Sequence, residues 1–237
     1  LQCCETSTES KNSIYGMWDD NFITNKKAIF KLRDEMKRLG LSFKIALMNG
    51  VRVDFFQEDV AQCLKEMGVY CVAFGFESGN QKALDNIKKG IRLETSRKAM
   101  AIAKRLGFET WGFFMLGLPG DDEKTIKETI DFAVELDPDI AKFHILKPFP
   151  GTEIYEEFKR DNLLTTLEFE KYGIHSGPVH GLKSLSGGDL VDLHRLAYRR
   201  FYLRPKKLLN QIINIKTPHR FIVNLLAGIS LLSLSRK

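Results

Sequence analysis

The 237-residue sequence predicts an α/β fold built on a parallel sheet, in barrel or doubly wound form, followed by a helical region. Three observations carry this. Short apolar runs alternate with amphipathic segments over roughly the first 160 residues, at a repeat of about thirty residues, the length of a βαβ unit. One run, Tyr70-Cys71-Val72-Ala73-Phe74-Gly75-Phe76, is apolar throughout, as expected for a parallel strand covered on both faces. Polar or glycine-rich residues gather just after each run, where parallel α/β folds place their ligands.

The elements follow in order. Ile14–Trp18 reads as a strand stopped by Asp19-Asp20-Asn21. Thr24 is placed to cap a helix reaching about Leu39, with Ile29, Leu32, Met36 and Leu39 on one face and Gly40 as its stop. Phe43–Met48 is the next strand. Val60, Leu64 and Met67 lie at helical spacing before Gly68, and the apolar Tyr70–Phe76 strand follows. A helix over Ser96–Leu106 ends at Gly107, and Trp111–Leu116 is again a strand. Asp121 or Asp122 caps a helix carrying Ile126, Ile130 and Val134, which Asp137-Pro138-Asp139 ends. Ala141–Leu146 is the last strand, and Thr152 opens a short helix. Residues 171–188 read as a glycine-rich loop. Leu190–Leu203, Lys206–Ile215 and His219–Leu234 then read as helices punctuated by Pro205 and Pro218. The expected partition is therefore residues 1–165 and 166–237.

Charge is divided in the same way. The formal net charge of +6 combines −4 over residues 1–194 with +10 over residues 195–237, which hold ten Lys and Arg and no acid. No nucleic-acid partner is expected from a charge of this size. The tail instead suits either packing on a neighbour or an anionic membrane surface, contacted through residues 205–237. Its largely apolar Phe221–Leu234 stretch is shorter than the roughly twenty residues that span a bilayer. Four cysteines, Cys3, Cys4, Cys63 and Cys71, are too few for a disulfide scaffold. They point to a reducing, cytoplasmic compartment, with the tail peripheral to the inner face of the membrane.

The loops after the strands together resemble the radical S-adenosylmethionine (SAM) superfamily. Trp18-Asp19-Asp20-Asn21-Phe22 is similar to that family's second-strand end. Gly75-Phe76-Glu77-Ser78-Gly79 resembles its GxES element, Gly112 through Gly120 its GxxxxGxPG segment, and Pro148-Phe149-Pro150-Gly151-Thr152 its PxPGT turn. Order and spacing agree over about residues 14–160. The resemblance is closest to the cobalamin-dependent branch that includes anaerobic magnesium-protoporphyrin ester cyclases. It implies a partial parallel (β/α) TIM-like barrel, the family's core minus its first strand, with a C-terminal α-helical extension. It also implies S-adenosylmethionine and a [4Fe-4S] cluster as cofactors, with cobalamin as a further candidate on an N-terminal domain. The implied activity is reductive cleavage of S-adenosylmethionine to drive methylation, cyclisation or a related step on a small, hydrophobic, tetrapyrrole-like or lipid-like substrate.

The family's CxxxCxxC cluster loop has no counterpart here, since Cys3-Cys4 is an adjacent pair and Cys63 and Cys71 fall in a helix and a strand. The sequence therefore reads as the C-terminal part of a longer enzyme, with no metal ligands of its own and no activity in isolation. The competing reading is a non-catalytic partial barrel serving as an interaction module or an incomplete gene product.

By the same resemblance, Asp19, Asp20 and Asn21 meet the cofactor's amino group, and Glu77 its ribose hydroxyls, helped by Ser78. Arg52 and Lys89 are the candidate cations for its carboxylate. Gly117 lets the backbone approach adenine, Phe113 is a candidate adenine contact, and Pro148 shapes the last cofactor-side loop. Each has a bland counterpart: Asp and Asn also cap helices, the Lys88-Lys89-Arg92 run could be merely solvated, and Phe113 could be barrel core. Of the histidines, His144 inside the last strand is a candidate to face the substrate, with a hydrogen-bonded core histidine as the favoured reading, and His175 and His180 are candidate substrate-side groups.

Overall fold

A computed structural model describes residues 14–19, 22–173 and 176–213. Cys3, Cys4, Asp20, Asn21, His175 and the expected helix His219–Leu234 lie outside the described residues.

Five strands, β1 (Ile14–Met17), β2 (Lys44–Val51), β3 (Val69–Glu77), β4 (Glu109–Leu116) and β5 (Ile140–Ile145), form one sheet in the order β1-β2-β3-β4-β5. The β1–β2, β2–β3 and β3–β4 pairs are parallel. Every neighbour is consecutive in the chain, which is the order of a barrel wall; a doubly wound sheet reverses direction at a switch point. The fold class is thus α/β, a partial parallel barrel.

The helices are α1 (Lys26–Arg38), α2 (Glu58–Glu66), α3 (Gln81–Asn86), α4 (Leu93–Arg105), α5 (Glu123–Leu136), α6 (Glu153–Arg160), α7 (Gly187–Tyr202) and α8 (Pro205–Ile213), with a 3-10 turn at Phe169–Tyr172. Several boundaries move by a residue or more from expectation. Asn25, rather than Thr24, caps α1 by accepting from the Ala28 amide at 3.1 Å. Asp122 caps α5, with Thr125 N donating to its Oδ1 at 2.8 Å. Thr152 caps α6 as anticipated. Helix α7 starts earlier than expected because Ser186 and Asp189 form a reciprocal capping box. Pro205 opens α8 at its first position, where the missing N–H costs nothing, as well as separating it from α7.

The chain divides into two compact units. The first comprises Leu1–Glu77, Lys88–Phe114 and Leu136–Lys142. Its core is a run of buried aromatics: Phe56 meets Phe74 edge-on at 4.9 Å, and Phe76 stacks on Phe114 at 5.5 Å. The start of β4 is fixed by Asp139, whose Oδ2 accepts from both Thr110 N and Thr110 Oγ1 at 2.8 Å. Gly68 makes the α2–β3 turn at φ +88°, where a Cβ would lie 1.9 Å from the Phe43 carbonyl oxygen.

The second unit comprises Ser78–Ile87, Met115–Glu135 and Phe143–Lys237. Leu116, Ile126, Ile130, Phe158, Leu190 and Phe201 are buried in it. Arg204 and Lys207, two cations of the basic C-terminal region, lie over the Phe201 ring at 4.6 and 4.9 Å, and Lys207 is buried. No described helix is long and apolar enough to cross a membrane.

Candidate functional site

In the first unit the structure brings Arg52, Glu77 and Lys89 together. Strand β3 is apolar until Glu77, whose carboxylate emerges half-buried at the strand's carboxyl end. Glu77 sits at φ 63°, a left-handed conformation that costs an L-residue about 1 kcal/mol or more and recurs at ligand sites. Its Oε1 accepts from Lys89 Nζ at 2.7 Å, with each side chain 21 % exposed. Gly75 makes room for this pair: a Cβ there would lie 3.0 Å from Glu77 Oε1 and 3.5 Å from Lys89 Nζ. The strand register shifts between Gly75 and Glu77, and the missing side chain at Gly75 lets the carboxylate and its ammonium fold back over the strand.

Arg52 follows β2 and is bidentate to Asp54, Nε to Oδ1 at 3.1 Å and Nη2 to Oδ2 at 2.8 Å. The same Nη2 reaches the Lys89 carbonyl oxygen at 3.3 Å, so Arg52 braces the backbone that presents Lys89. The Asp54 hydrogen bond raises the Arg52 pKa further, keeping the guanidinium charged. The four side chains are two cations and two carboxylates, each paired.

Along β4, Trp111, Phe113 and Met115 are half-buried, while Thr110, Gly112, Phe114 and Leu116 are buried. Phe113 thus lies on the more open face, and a Cβ on Gly50 would touch its ring at 3.6 Å. Phe114 and Gly112 belong to the aromatic core instead: a Cβ on Gly112 would approach Phe114, Pro138 and Phe76 within 3.2 Å.

The other expected residues divide differently. Asp19 is exposed at the end of β1. Ser78 is fully buried, and its hydroxyl is committed to the turn after Glu77: it bonds Thr129 Oγ1 and accepts from Asn80 N, both at 3.0 Å. Gly117, at φ +80°, approaches the buried His180 ring, whose Cε1 would be 3.0 Å from a Cβ. His180 directs both ring nitrogens at backbone, Nδ1 to Gly181 O at 2.9 Å and Nε2 to Leu146 O at 3.0 Å. Burial lowers its pKa against the pull of those two carbonyls. Pro148 is buried in the loop after β5.

Two groups went unrecognised as loop anchors. Asp121 looks like a helix cap, yet it is 6 % exposed and reaches back to the preceding loop, accepting from Leu118 N at 2.8 Å and Thr125 Oγ1 at 2.9 Å. Burial pushes its carboxyl up to about 6 in spite of these hydrogen bonds. Thr129, an ordinary helix residue by sequence, pins the turn after Glu77 from 50 residues away.

No cluster of three or more His, Cys, Asp or Glu suited to a metal occurs among the described residues. Cys63 and Cys71 are buried. Burial raises both thiols, Cys71 to about 12, and ligation of iron needs the thiolate. These two cysteines do not fit an iron–sulfur cluster.

A family model for the radical SAM superfamily matches residues 14–133. An uncharacterized methyltransferase of Pyrococcus horikoshii is 38 % identical over 205 residues, which are 86 % of this chain and 43 % of the relative. The anaerobic magnesium-protoporphyrin IX monomethyl ester cyclase of Cereibacter sphaeroides is 25 % identical over 188 residues, 78 % of this chain and 30 % of the relative. A solved radical S-adenosylmethionine methyltransferase of Kitasatospora setae, with cobalamin and a [4Fe-4S] cluster bound, is 20 % identical with a TM-score of 0.48, covering 57 % of this chain and 27 % of that one. The chain spans less than half the length of these relatives.

Proposed function

The chain belongs to the radical SAM superfamily, and on that premise we propose that it supplies the S-adenosylmethionine cradle of a radical SAM enzyme acting on a hydrophobic small molecule by methylation, cyclisation or a related step. The observation that carries this reading is the Glu77–Lys89 pair at the carboxyl end of β3, folded over Gly75 and braced by Arg52. The donor set suits the cofactor. Lys89 occupies Glu77 Oε1 and leaves Oε2 to accept from ribose hydroxyls, and a carboxylate is the stronger acceptor for them. The Lys89 ammonium is the cation for the methionine carboxylate, and Arg52 holds its backbone in place. Asp19, Asp20 and Asn21 accept from the methionine ammonium. By the family resemblance Phe113 is assigned to contact adenine, Gly117 to let the backbone approach it and Pro148 to shape the last loop, while Ser78 fixes the turn after Glu77.

S-adenosylmethionine bound with a reduced [4Fe-4S] cluster supplies the radical chemistry that gives the superfamily its name. The chain's own residues bind and orient the cofactor. The cluster thiolates, and a cobalamin-type domain, are assigned to the intact polypeptide that carries this chain. We assign residues 1–165 to the barrel part of that polypeptide and 166–237 to its linker and helical part. Residues 205–237 are assigned to an anionic membrane surface. Flotation with phosphatidylserine vesicles at low salt supports that assignment, and its absence refutes it.

The cradle is tested by equilibrium dialysis of S-adenosylmethionine against the intact polypeptide. Glu77→Ala removes charge-assisted hydrogen bonds that contribute about 1.5–3 kcal/mol, so affinity falls tenfold or more. Unchanged affinity removes Glu77 from the site.

A further inference from the structure

The second unit holds a cavity of about 500 Å³ at the carboxyl end of β5, a size in the range of small-molecule sites. Its wall is apolar where Met115, Phe143, Phe149 and Val191 contribute, and polar where His144, His194 and Lys147 do. Its one formally charged group is Lys147; no carboxylate lines it among the described residues. Lys147 is half-buried, and its Nζ donates to the carbonyl oxygens of Lys171 at 3.4 Å, Ser176 at 3.3 Å and Gly177. Two of these contacts, at 3.4 and 3.3 Å, are long, weak hydrogen bonds that a carboxylate can replace, and neutral carbonyls leave the positive charge uncancelled. Burial lowers the Lys147 pKa, and no neighbouring acid offsets it. A partly desolvated cation facing an acid-free cavity favours an anion.

A second feature adjoins the first. Phe149 lines the cavity and also belongs to an aromatic shelf with Phe169 and Tyr172, at centroid distances of 6.4 and 5.8 Å. Phe169 stacks on Tyr172 at 6.1 Å with an interplanar angle of 15°. Two of the shelf's rings are open to solvent, Phe149 at 45 % and Phe169 at 68 %. Exposed aromatics clustered beside a cavity mark a binding surface, whereas single exposed apolar residues do not.

We infer that this cavity and its shelf bind the substrate: a flat, largely apolar molecule carrying a carboxylate, its ring face on Phe149 and Phe169 and its acid group toward Lys147. The inference rests on the proposed enzyme for the word substrate, while the binding site stands on its own geometry.

The probe is pyrenebutyrate, a flat apolar ring system with a carboxylate, compared with the uncharged pyrenebutanol by fluorescence titration of the intact polypeptide. The acid binds at least fivefold tighter than the alcohol. Lys147→Met, which keeps the stem and removes the charge, brings the two to equal affinity, and Lys147→Arg restores the preference. Phe169→Ser, at an exposed position, weakens both probes alike. Equal binding of acid and alcohol to the unsubstituted protein, or no binding of either, overturns the site. If Lys147→Met does not fold, the acid–alcohol ratio and Phe169→Ser still decide. Dialysis of S-adenosylmethionine on the same preparations separates the two readings. Lost cofactor binding with intact acid preference rejects only the cradle, and the converse rejects only this site.

Discussion

Replacing Thr129 by Val removes one hydroxyl and keeps the side-chain shape, and the structure gives that hydroxyl unusual weight. Thr129 is 1 % exposed. Its Oγ1 donates to Thr125 O at 3.1 Å and accepts from Gly79 N at 3.0 Å. Ser78 Oγ lies 3.0 Å away and accepts from Asn80 N, so the remaining Ser78 hydrogen points at Thr129. With that assignment Thr129 makes one donation and two acceptances, its full capacity, and Ser78 is satisfied as well. Val at position 129 leaves the buried Ser78 hydroxyl without this partner, at about 1–3 kcal/mol, and the half-buried Gly79 amide likewise, at the lower end of that range. Partial relaxation brings the expected loss to about 2–4 kcal/mol, read as a lower urea midpoint with an unchanged m-value. Thr129→Ser retains the hydroxyl and loses only a methyl, about 1 kcal/mol. Ser78→Ala combined with Thr129→Val costs less than the sum of the two, because they share a bond. A Thr129→Val protein within 0.5 kcal/mol of the unsubstituted one, or no less stable than Thr129→Ser, refutes the network (thresholds of roughly the size seen for neutral surface changes).

The remaining predictions concern burial. Asp121 has a native pKa of about 6 against an unfolded value of 3.8, so the native state binds the extra proton between them. Its contribution to stability is therefore full below the unfolded value and is lost as pH rises through about 6. Asp121→Asn does not titrate, and its stability relative to the unsubstituted protein should rise by up to about 3 kcal/mol between pH 4 and 7; parallel urea-stability profiles contradict this. Cys71, with its thiol pushed up to about 12, should resist alkylation at neutral pH in the native protein and react once unfolded, as read by peptide mass spectrometry. Rapid native modification at that site contradicts the burial. Gly79→Ala places a Cβ 2.4 Å from Phe132 Cβ and 2.6 Å from Glu128 O, so α5 must shift at a cost of about 1–3 kcal/mol in urea unfolding. A neutral result means the turn and α5 are looser than the geometry states.

What the sequence made legible follows from physics particular to each element. Strand β3 was readable because a parallel strand covered on both faces leaves a long apolar run, β4 because its run stays apolar although one face is half-open, and Glu77 because it ends an apolar run without a turn. Helix α3 was not readable: six residues between Asn80 and Ile87 are too few to show a 3.6-residue period. Lys89 could not be told from Lys88 by composition. The backbone separates them, since Lys88 takes φ 54° and Lys89 turns onto Glu77. Thr129 and Asp121 were hidden for a related reason. Each sits on or beside α5 with a plausible local role, and its deciding partner is a loop the sequence does not place next to it. Lys147 carries no pattern at all, because an acid-free surrounding is a property of the fold.

The measurement that bears most directly on the cradle compares S-adenosylmethionine with its 2′-deoxyribose analogue on the intact polypeptide and on its Glu77→Ala variant. If Glu77 accepts from the ribose hydroxyls, the unsubstituted protein binds the deoxy analogue about tenfold or more weakly, the size of a lost charge-assisted hydrogen bond. The variant then binds both ligands equally. The same preference in both proteins contradicts the assignment and places the ribose elsewhere.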